Sequence, residues 1–284
     1  MIMKYSVFDA HCDTLCIMEG QKNGKSHVTA EGMSGYEKYT QVYACFIAPK
    51  YYSCAKERAK RLIDTYYQNN LNGILSIEGG ECIESAADIE QYYSRGVRIA
   101  ALTWNNTNRI AAGADEIDKS KGLTEFGKEI VREMNRIGMI VDVSHLNDKS
   151  FYDIAKISTK PIVATHSCSR KICPHRRNIT DEMFKIIAES GGVTGINFYP
   201  IFLTGCEKAV TDDIVRHIEH FMELGGENSI GIGADYDGVD FLPEGISGCG
   251  DTYKVFDRLL QLNYTEEQVE KISCKNFERV MADV

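Results

Sequence analysis

A closed (β/α)8 barrel of the TIM type, an α/β fold, is what this sequence predicts, and three observations predict it. The chain has 284 residues, near the roughly 250 that eight β/α units typically need. Eight short runs of β-branched and other apolar residues recur, most bounded by Gly, Pro or charge, as strands buried on both faces are. Amphipathic helical stretches separate most of these runs and no long linker intervenes, so residues 1–284 are expected to form one domain.

The elements follow in order. YSVFDAHCD is the first strand, and the stretch after it (15–40, with QKNGKSHVTAEGMSG) is too irregular for a full helix and reads as a loop. QVYACFIA is the second strand and AKERAKRLIDTYY (55–67) its helix. GILSIEGG is the third, with a helix over 85–96, and RIAALTWN the fourth, with a helix over 123–138. Thr124 can cap that helix, but Gly127 three places on makes a poor capping box. GMIVDVSH and PIVATHS are the fifth and sixth strands. A helix over 180–192 follows, with Thr180 as its start and Gly191 as its stop. GGVTGINF and SIGIGADYDG complete the eight, and VFDRLLQL and TEEQVEKISCKNFERVMADV supply closing helices. An open doubly wound sheet is the competing architecture. It would want a Gly-rich nucleotide turn after the first strand, where AHCDT stands instead.

A net charge of −9 would repel a nucleic-acid backbone. No apolar stretch approaches the 18 residues of a membrane span. The start MIMKYSVFDAHCD lacks the basic and apolar regions of a signal peptide, and NFERVMADV is no lipid-anchor tail, so a cytoplasmic location is expected. The ten cysteines form no CxxC pair and read as reduced thiols, many of them buried.

In a parallel barrel, the C-terminal ends of the strands converge on one face. Those ends carry His11 and Asp13, Glu78, Trp104 and Asn105, Asp142 and His145, His166, and Asp235 and Asp237. Residues i and i+2 of a strand share a face, so His11 and Asp13 can bind one ion together. Glu78 can place one oxygen on each of two ions, and His145 and His166 can complete the second. Nitrogen and carboxylate donors of this kind suit zinc, and paired ions are a known device for hydrolysis. Of the other histidines, His217 and His220 fall three apart on a helix and are expected on a solvated face. His27 has no evident partner, and His175 lies beside two arginines with its role open.

The strand ends, with DAHCDT (9–14), IEGGE (77–81), LTWNNTN (102–108), the block 122–145, PIVATHSCSRKICPHRRN (161–178), GGVTGINF (191–198) and GIGADYDG (231–238), resemble the membrane dipeptidase family, peptidase family M19, in its bacterial form. The resemblance implies a metal-dependent hydrolase barrel that holds two Zn2+ ions. His11 and Asp13 would bind the first, Glu78 would bridge, and His145 and His166 would bind the second. Arg177 would hold the carboxylate of a small peptide substrate, and Asp235 would act as the catalytic acid/base. A homodimer is the assembly the family suggests. One departure stands out: mammalian members carry a substrate-binding histidine just after LT of the fourth strand, where this chain has Trp104 and Asn105. Asn105 is then a candidate donor to a developing oxyanion. Two other readings stay open: a metal hydrolase acting on a cyclic amide, lactone or phosphoester, and a metal-binding barrel without turnover.

Overall fold

The computed structural model describes residues 3–20 and 25–284. Eight parallel strands, β1 (Met3–Cys12), β2 (Tyr36–Phe46), β3 (Ile74–Glu78), β4 (Val97–Ala101), β5 (Ile140–Asp142), β6 (Ile162–Val163), β7 (Thr194–Ile196) and β8 (Ile230–Ile232), pair in the order β6-β5-β4-β3-β2-β1-β8-β7. A parallel bridge between Ala164 and Thr194 joins the two ends of that order. Ala164 N donates to Val193 O at 3.0 Å and Gly195 N to Ala164 O at 2.8 Å, so the sheet closes into the expected barrel.

The four clearest predicted helices form, over Ala55–Gln68, Ala86–Ser94, Glu125–Ile137 and Asp181–Glu189. Their starts obey capping chemistry. Thr124 Oγ1 accepts from Gly127 N at 2.9 Å and Thr180 Oγ1 from Met183 N at 3.2 Å. Gly191 stops the last of them in the left-handed region, at φ +82°. The irregular 15–40 stretch holds two five-residue helices, Thr14–Met18 and Ala30–Ser34, and its residues 21–24 lie outside the described residues.

Phe8, Ala10, Val42, Ile99, Ile140, Val163 and Val193 fill one end of the barrel. The C-terminal helix, Asn276–Ala282, closes that end with Phe277 and Val280, and the Phe277 ring stacks on Phe8 at 5.2 Å. The opposite end is left for polar residues. β1 carries a register shift there: Asp9 pairs with Gln41 but Cys12 with Tyr43, so three steps of β1 face two of β2. This β-bulge resets which side chains point inward.

The helix Ala86–Ser94 offers a stability test. Asp88 Oδ2 accepts from Glu84 N and Ser85 N, both at 2.9 Å, and Lys56 Nζ lies 2.9 Å from its Oδ1. Burial alone would raise this carboxyl, but the Lys56 ammonium and the two N–H groups outweigh it and hold it below the ordinary range. A depressed folded pKa stabilises above the unfolded value and is lost as pH falls through the folded one. Asp88→Ala should therefore lower stability by about 1 kcal/mol at pH 7. In denaturant melts run at falling pH, the difference from wild type should shrink below about pH 4.

Candidate metal centre

Six ionisable side chains from five strand ends meet at the open end of the barrel. His11, Asp13, Glu78, His145, His166 and Asp235 are all buried. Their donor atoms form three overlapping sets: His11, Asp13 and Glu78; Glu78, His145 and His166; and His11, His166 and Asp235, each within 4.8 Å. Glu78 lies between the first two sets. Its Oε1 is 2.7 Å from His145 Nε2 and 3.7 Å from His166 Nε2, while its Oε2 is 3.4 Å from His11 Nε2. The residues expected to bind metal are thus brought together, and the set of His11, His166 and Asp235 joins the two halves of the cluster.

Neighbouring strands fix the imidazoles from behind. Asn105 Oδ1 accepts from His145 Nδ1 at 2.8 Å. Thr165 Oγ1 donates its proton to Asp142 Oδ2 at 2.5 Å, so it accepts from His166 Nδ1 at 2.8 Å. With a proton on each Nδ1, both Nε2 atoms present bare lone pairs. Those two lone pairs face one another at 2.8 Å and share Glu78 Oε1. Burial, with the Arg177 charge nearby, lowers His145 to about 4 and keeps both rings neutral. Two acceptors in contact, beside a carboxylate, form a set of ligand atoms able to hold a cation.

The other half of the cluster shows the same deficit of positive charge. Burial lowers His11, but Glu78, Asp235 and Asp13 outweigh it and push the ring up to about 10. The His11 charge in turn holds Glu78 well below the carboxylate range against its burial. His11 Nε2 and Glu78 Oε2 are buried without a hydrogen bond. Imidazole and carboxylate donors arranged in this way fit divalent ions such as zinc.

Asp235 lies beside the cluster, its Oδ1 3.8 Å from His11 Nε2 and its Oδ2 accepting from Asn197 Nδ2 at 2.9 Å. Burial raises its pKa. Arg177 is buried at the wall of the same cleft. Its Nη2 donates to His166 O at 3.3 Å, its Nε has no hydrogen bond among the described residues, and its guanidinium sits 5.6 Å from the Phe202 ring. Arg176, its neighbour, turns outward to Asp115 at 2.6 Å. The cleft encloses about 240 Å3, and Phe46, Trp104, Tyr199 and Phe202 supply its aromatic walls.

Several side chains differ from expectation. Asn105 Oδ1 orients His145, a supporting role beyond the donor role expected of its amide nitrogen. Asp237 serves the loop above the barrel, accepting from Thr14 Oγ1 and Ser26 Oγ at 2.6 Å and from His27 N at 2.7 Å. His27 finds its partner here as well, its Nδ1 accepting from Asp237 N at 3.0 Å. His175 Nδ1 accepts from Arg177 N at 3.2 Å, and its ring packs 4.7 Å from Phe202.

His217 is not on a solvated face but fully buried. Its Nδ1 accepts from Ser169 N and its Nε2 donates to Leu203 O, both at 3.0 Å, which ties the loop bearing Arg177 to the short helix bearing Phe202. His220 stays partly exposed and pairs with Asp181 at 2.7 Å. Tyr199 and Phe202, which follow the seventh strand and line the cleft, drew no expectation from the sequence. Their aromatic spacing in NFYPIF was the available signal.

The comparisons with known proteins fall in line with this geometry. The profile of the membrane dipeptidase family (peptidase family M19) matches residues 49–284. The chain belongs to that family. The first strand, with His11 and Asp13, lies ahead of the match. A Klebsiella pneumoniae protein from the pqqA 5′ region is 34% identical over 206 residues, covering 69% of this chain and 76% of its own. An uncharacterised dipeptidase of Schizosaccharomyces pombe is 34% identical over 82% of this chain. The chain spans 58% of that relative's length. Among solved structures, dipeptidase AC, a metallopeptidase of family M19, superposes with a TM-score of 0.90 at 24% identity, covering 99% of both chains. A Rhodobacter sphaeroides metallopeptidase, crystallised with a phosphinate mimic of L-Ala-D-Ala, gives 0.86 at 23%, again over 99% of both chains. These M19 members are metallohydrolase barrels, and this chain shares their fold. No helix among the described residues is long and apolar enough to cross a membrane.

His217 generates a pH test. Burial is the main cause that lowers its pKa, to about 4. A folded pKa below the unfolded value of about 6.5 means the unfolded chain binds more protons, so stability falls as pH drops from about 6.5 toward 4. Wild type should lose up to about 3 kcal/mol over that window from this ring. His217→Leu should start less stable at pH 7 but lack that loss, so the two stability curves, measured by urea melts, should converge on acidification.

Proposed function

We propose that the chain is a dinuclear zinc dipeptidase acting on short free peptides. The observation that carries this reading is the His145–His166 contact, two bare Nε2 atoms 2.8 Å apart over one glutamate oxygen. His11 and Asp13 would hold one ion and His145 and His166 the other, with an oxygen of Glu78 on each. When bound, such a pair of ions supplies Lewis acidity and brings a water's pKa toward neutrality.

The chain's own residues supply the rest. Asp235, its pKa raised by burial and its Oδ2 held by Asn197, takes the proton of the attacking water at Oδ1 and delivers it to the leaving amine. Arg177, buried with an unmatched donor, binds the substrate's terminal carboxylate, which selects short peptides with a free C-terminus. Phe46, Trp104, Tyr199 and Phe202 keep bulk water from the cleft. The family's curated and structural relatives named as dipeptidases support the substrate class. The candidate bridging position is a glutamate and no lysine lines the cleft among the described residues, which favours this reading over a cyclic-amide, lactone or phosphoester hydrolase.

Metal analysis beside a dipeptide assay tests the core of the proposal. Wild type should hold about two ions per chain, and His11→Ala and His166→Ala should each hold fewer and lose at least about 100-fold in kcat/KM. A wild type that hydrolyses dipeptides without bound metal would refute it. For Arg177→Ala, KM should rise at least about 10-fold for free dipeptides and little for C-terminally amidated ones. Equal losses on both would remove the carboxylate role.

A further inference from the structure

We infer that Asp9 is a positioning residue for the metal centre: its carboxylate holds the β1 bulge that turns His11 inward, and ties that strand end to the Asp235 end of β8. The inference rests on the two-ion reading above.

Strand geometry poses the problem that Asp9 solves. Successive side chains of a strand point to opposite faces. Phe8 and Ala10 belong to the apolar cluster inside the barrel, while Val7 belongs to the cluster shared with the helices. Regular alternation would send residue 11 outward with residues 7 and 9. Instead His11 faces Glu78 in the barrel mouth, and Cys12 joins the outer cluster. The parity changes within the bulge between the Asp9–Gln41 and Cys12–Tyr43 pairs.

A bulge takes backbone groups out of the ladder. Between β1 and β8 the ladder is sparse: Asp9 pairs with Ile232, and Cys12 bridges to Tyr236 beyond the strand. The N–H groups of His11 and Ala234 fall in the gap. Asp9 Oδ1 accepts from both, at 3.3 Å and 2.9 Å, and Asp9 is 0% exposed. One oxygen therefore fixes the backbone of a metal ligand and the backbone immediately before Asp235. Asp235 itself sits in the left-handed region, at φ +62°, a conformation its surroundings must enforce.

Without an acceptor here, two buried N–H groups would go unpaired, at about 1–3 kcal/mol each. The bulge could then slide by one residue, and a one-residue slip reverses every side chain beyond it. His11 and Asp13 would leave the site together. The role belongs to the acceptor and not to the charge, so an amide should serve. Gln41, the cross-strand partner of Asp9, carries a buried Oε1 with no hydrogen bond among the described residues, an acceptor for the amide N–H that asparagine would add.

The test compares zinc stoichiometry, zinc affinity by chelator competition and thermal melting in wild type, Asp9→Ala, Asp9→Asn and Val7→Ala. Val7→Ala is the control for lost stability, since Val7 is fully buried on the same strand but faces the helices. Asp9→Ala should bind the more weakly held ion about 10–100-fold less tightly, while Asp9→Asn stays within about threefold of wild type. Val7→Ala should melt lower yet keep wild-type affinity. Should the alanine form fail to fold, Asp9→Ser, whose hydroxyl can serve at most one of the two N–H groups, takes its place with the same expectation. Wild-type affinity in Asp9→Ala or Asp9→Ser overturns the inference. So does an equal loss in Val7→Ala, which would make the effect general destabilisation, or in Asp9→Asn, which would make it charge. A wild type that takes up no divalent ion overturns the two-ion reading and this inference with it.

Discussion

The Glu78 carboxylate is the group around which the rest of the barrel mouth is arranged. It is almost wholly buried, and within 3.7 Å it meets three imidazoles from three other strand ends. A carboxylate at that depth is costly unless positive charge compensates it. The surrounding groups cannot all supply that charge. His145 and His166 are kept neutral by burial, and Asp13 and Asp235 add negative charge beside His11. The negative charge gathered around Glu78 is what makes this volume able to hold metal ions, as the proposed two-ion reading requires.

Around this centre each functional group has a support on an adjoining element. Asn105, at the end of β4, steers His145; Asp142, at the end of β5, steers His166 through Thr165; Asn197 holds Asp235. Such partners choose the tautomer and aim the lone pair, a contribution as necessary as the ligand itself. The loops extend the same logic outward: His217 and His175 have no access to an ion, but they set the loop from which Arg177 reaches the cleft.

What could be read in the sequence divides along physical lines. The eight strands were legible because strands buried on both faces leave unbroken apolar runs. The convergence of the candidate ligands was legible because a parallel barrel gathers its strand ends on one face. Side-chain partners were not, because a hydrogen bond across strands leaves no periodic trace. Asn105 shows this well: its chemistry suits an oxyanion donor, and only its distance to His145 Nδ1 reveals a supporting role. The buried position of His217 was legible in its helix. Ile214, Ile218 and Phe221 are buried on its helix, and position 217 falls within that same stripe at helical spacing. Its polar side chain outweighed its place on the helix. Tyr199 and Phe202 depended on how the short helix Pro200–Thr204 sits over the barrel mouth, which apolar periodicity does not encode.

The local rules of backbone structure are broken where the chemistry lies. Among the described residues, five non-glycines have positive φ: Asn70 and Asn263 in turns, where asparagine tolerates that conformation, and His145, Asp235 and Asp237 at the metal end of the barrel. A left-handed backbone at such a residue costs of order 1–3 kcal/mol and persists only where its surroundings impose it. His145 O accepts from Ala114 N at 2.8 Å, and Asp235 O accepts from Gly238 N at 3.0 Å. Both residues are thus gripped through the main chain as well as the side chain. The β1 bulge belongs with them, since it too departs from regular geometry to aim one side chain. A sequence selected for stability alone would have no reason to gather a bulge, two gripped left-handed residues and an unbalanced charge at one end of the barrel. Catalysis needs donor atoms at fixed positions, and fixing them there against local preference is what these departures accomplish.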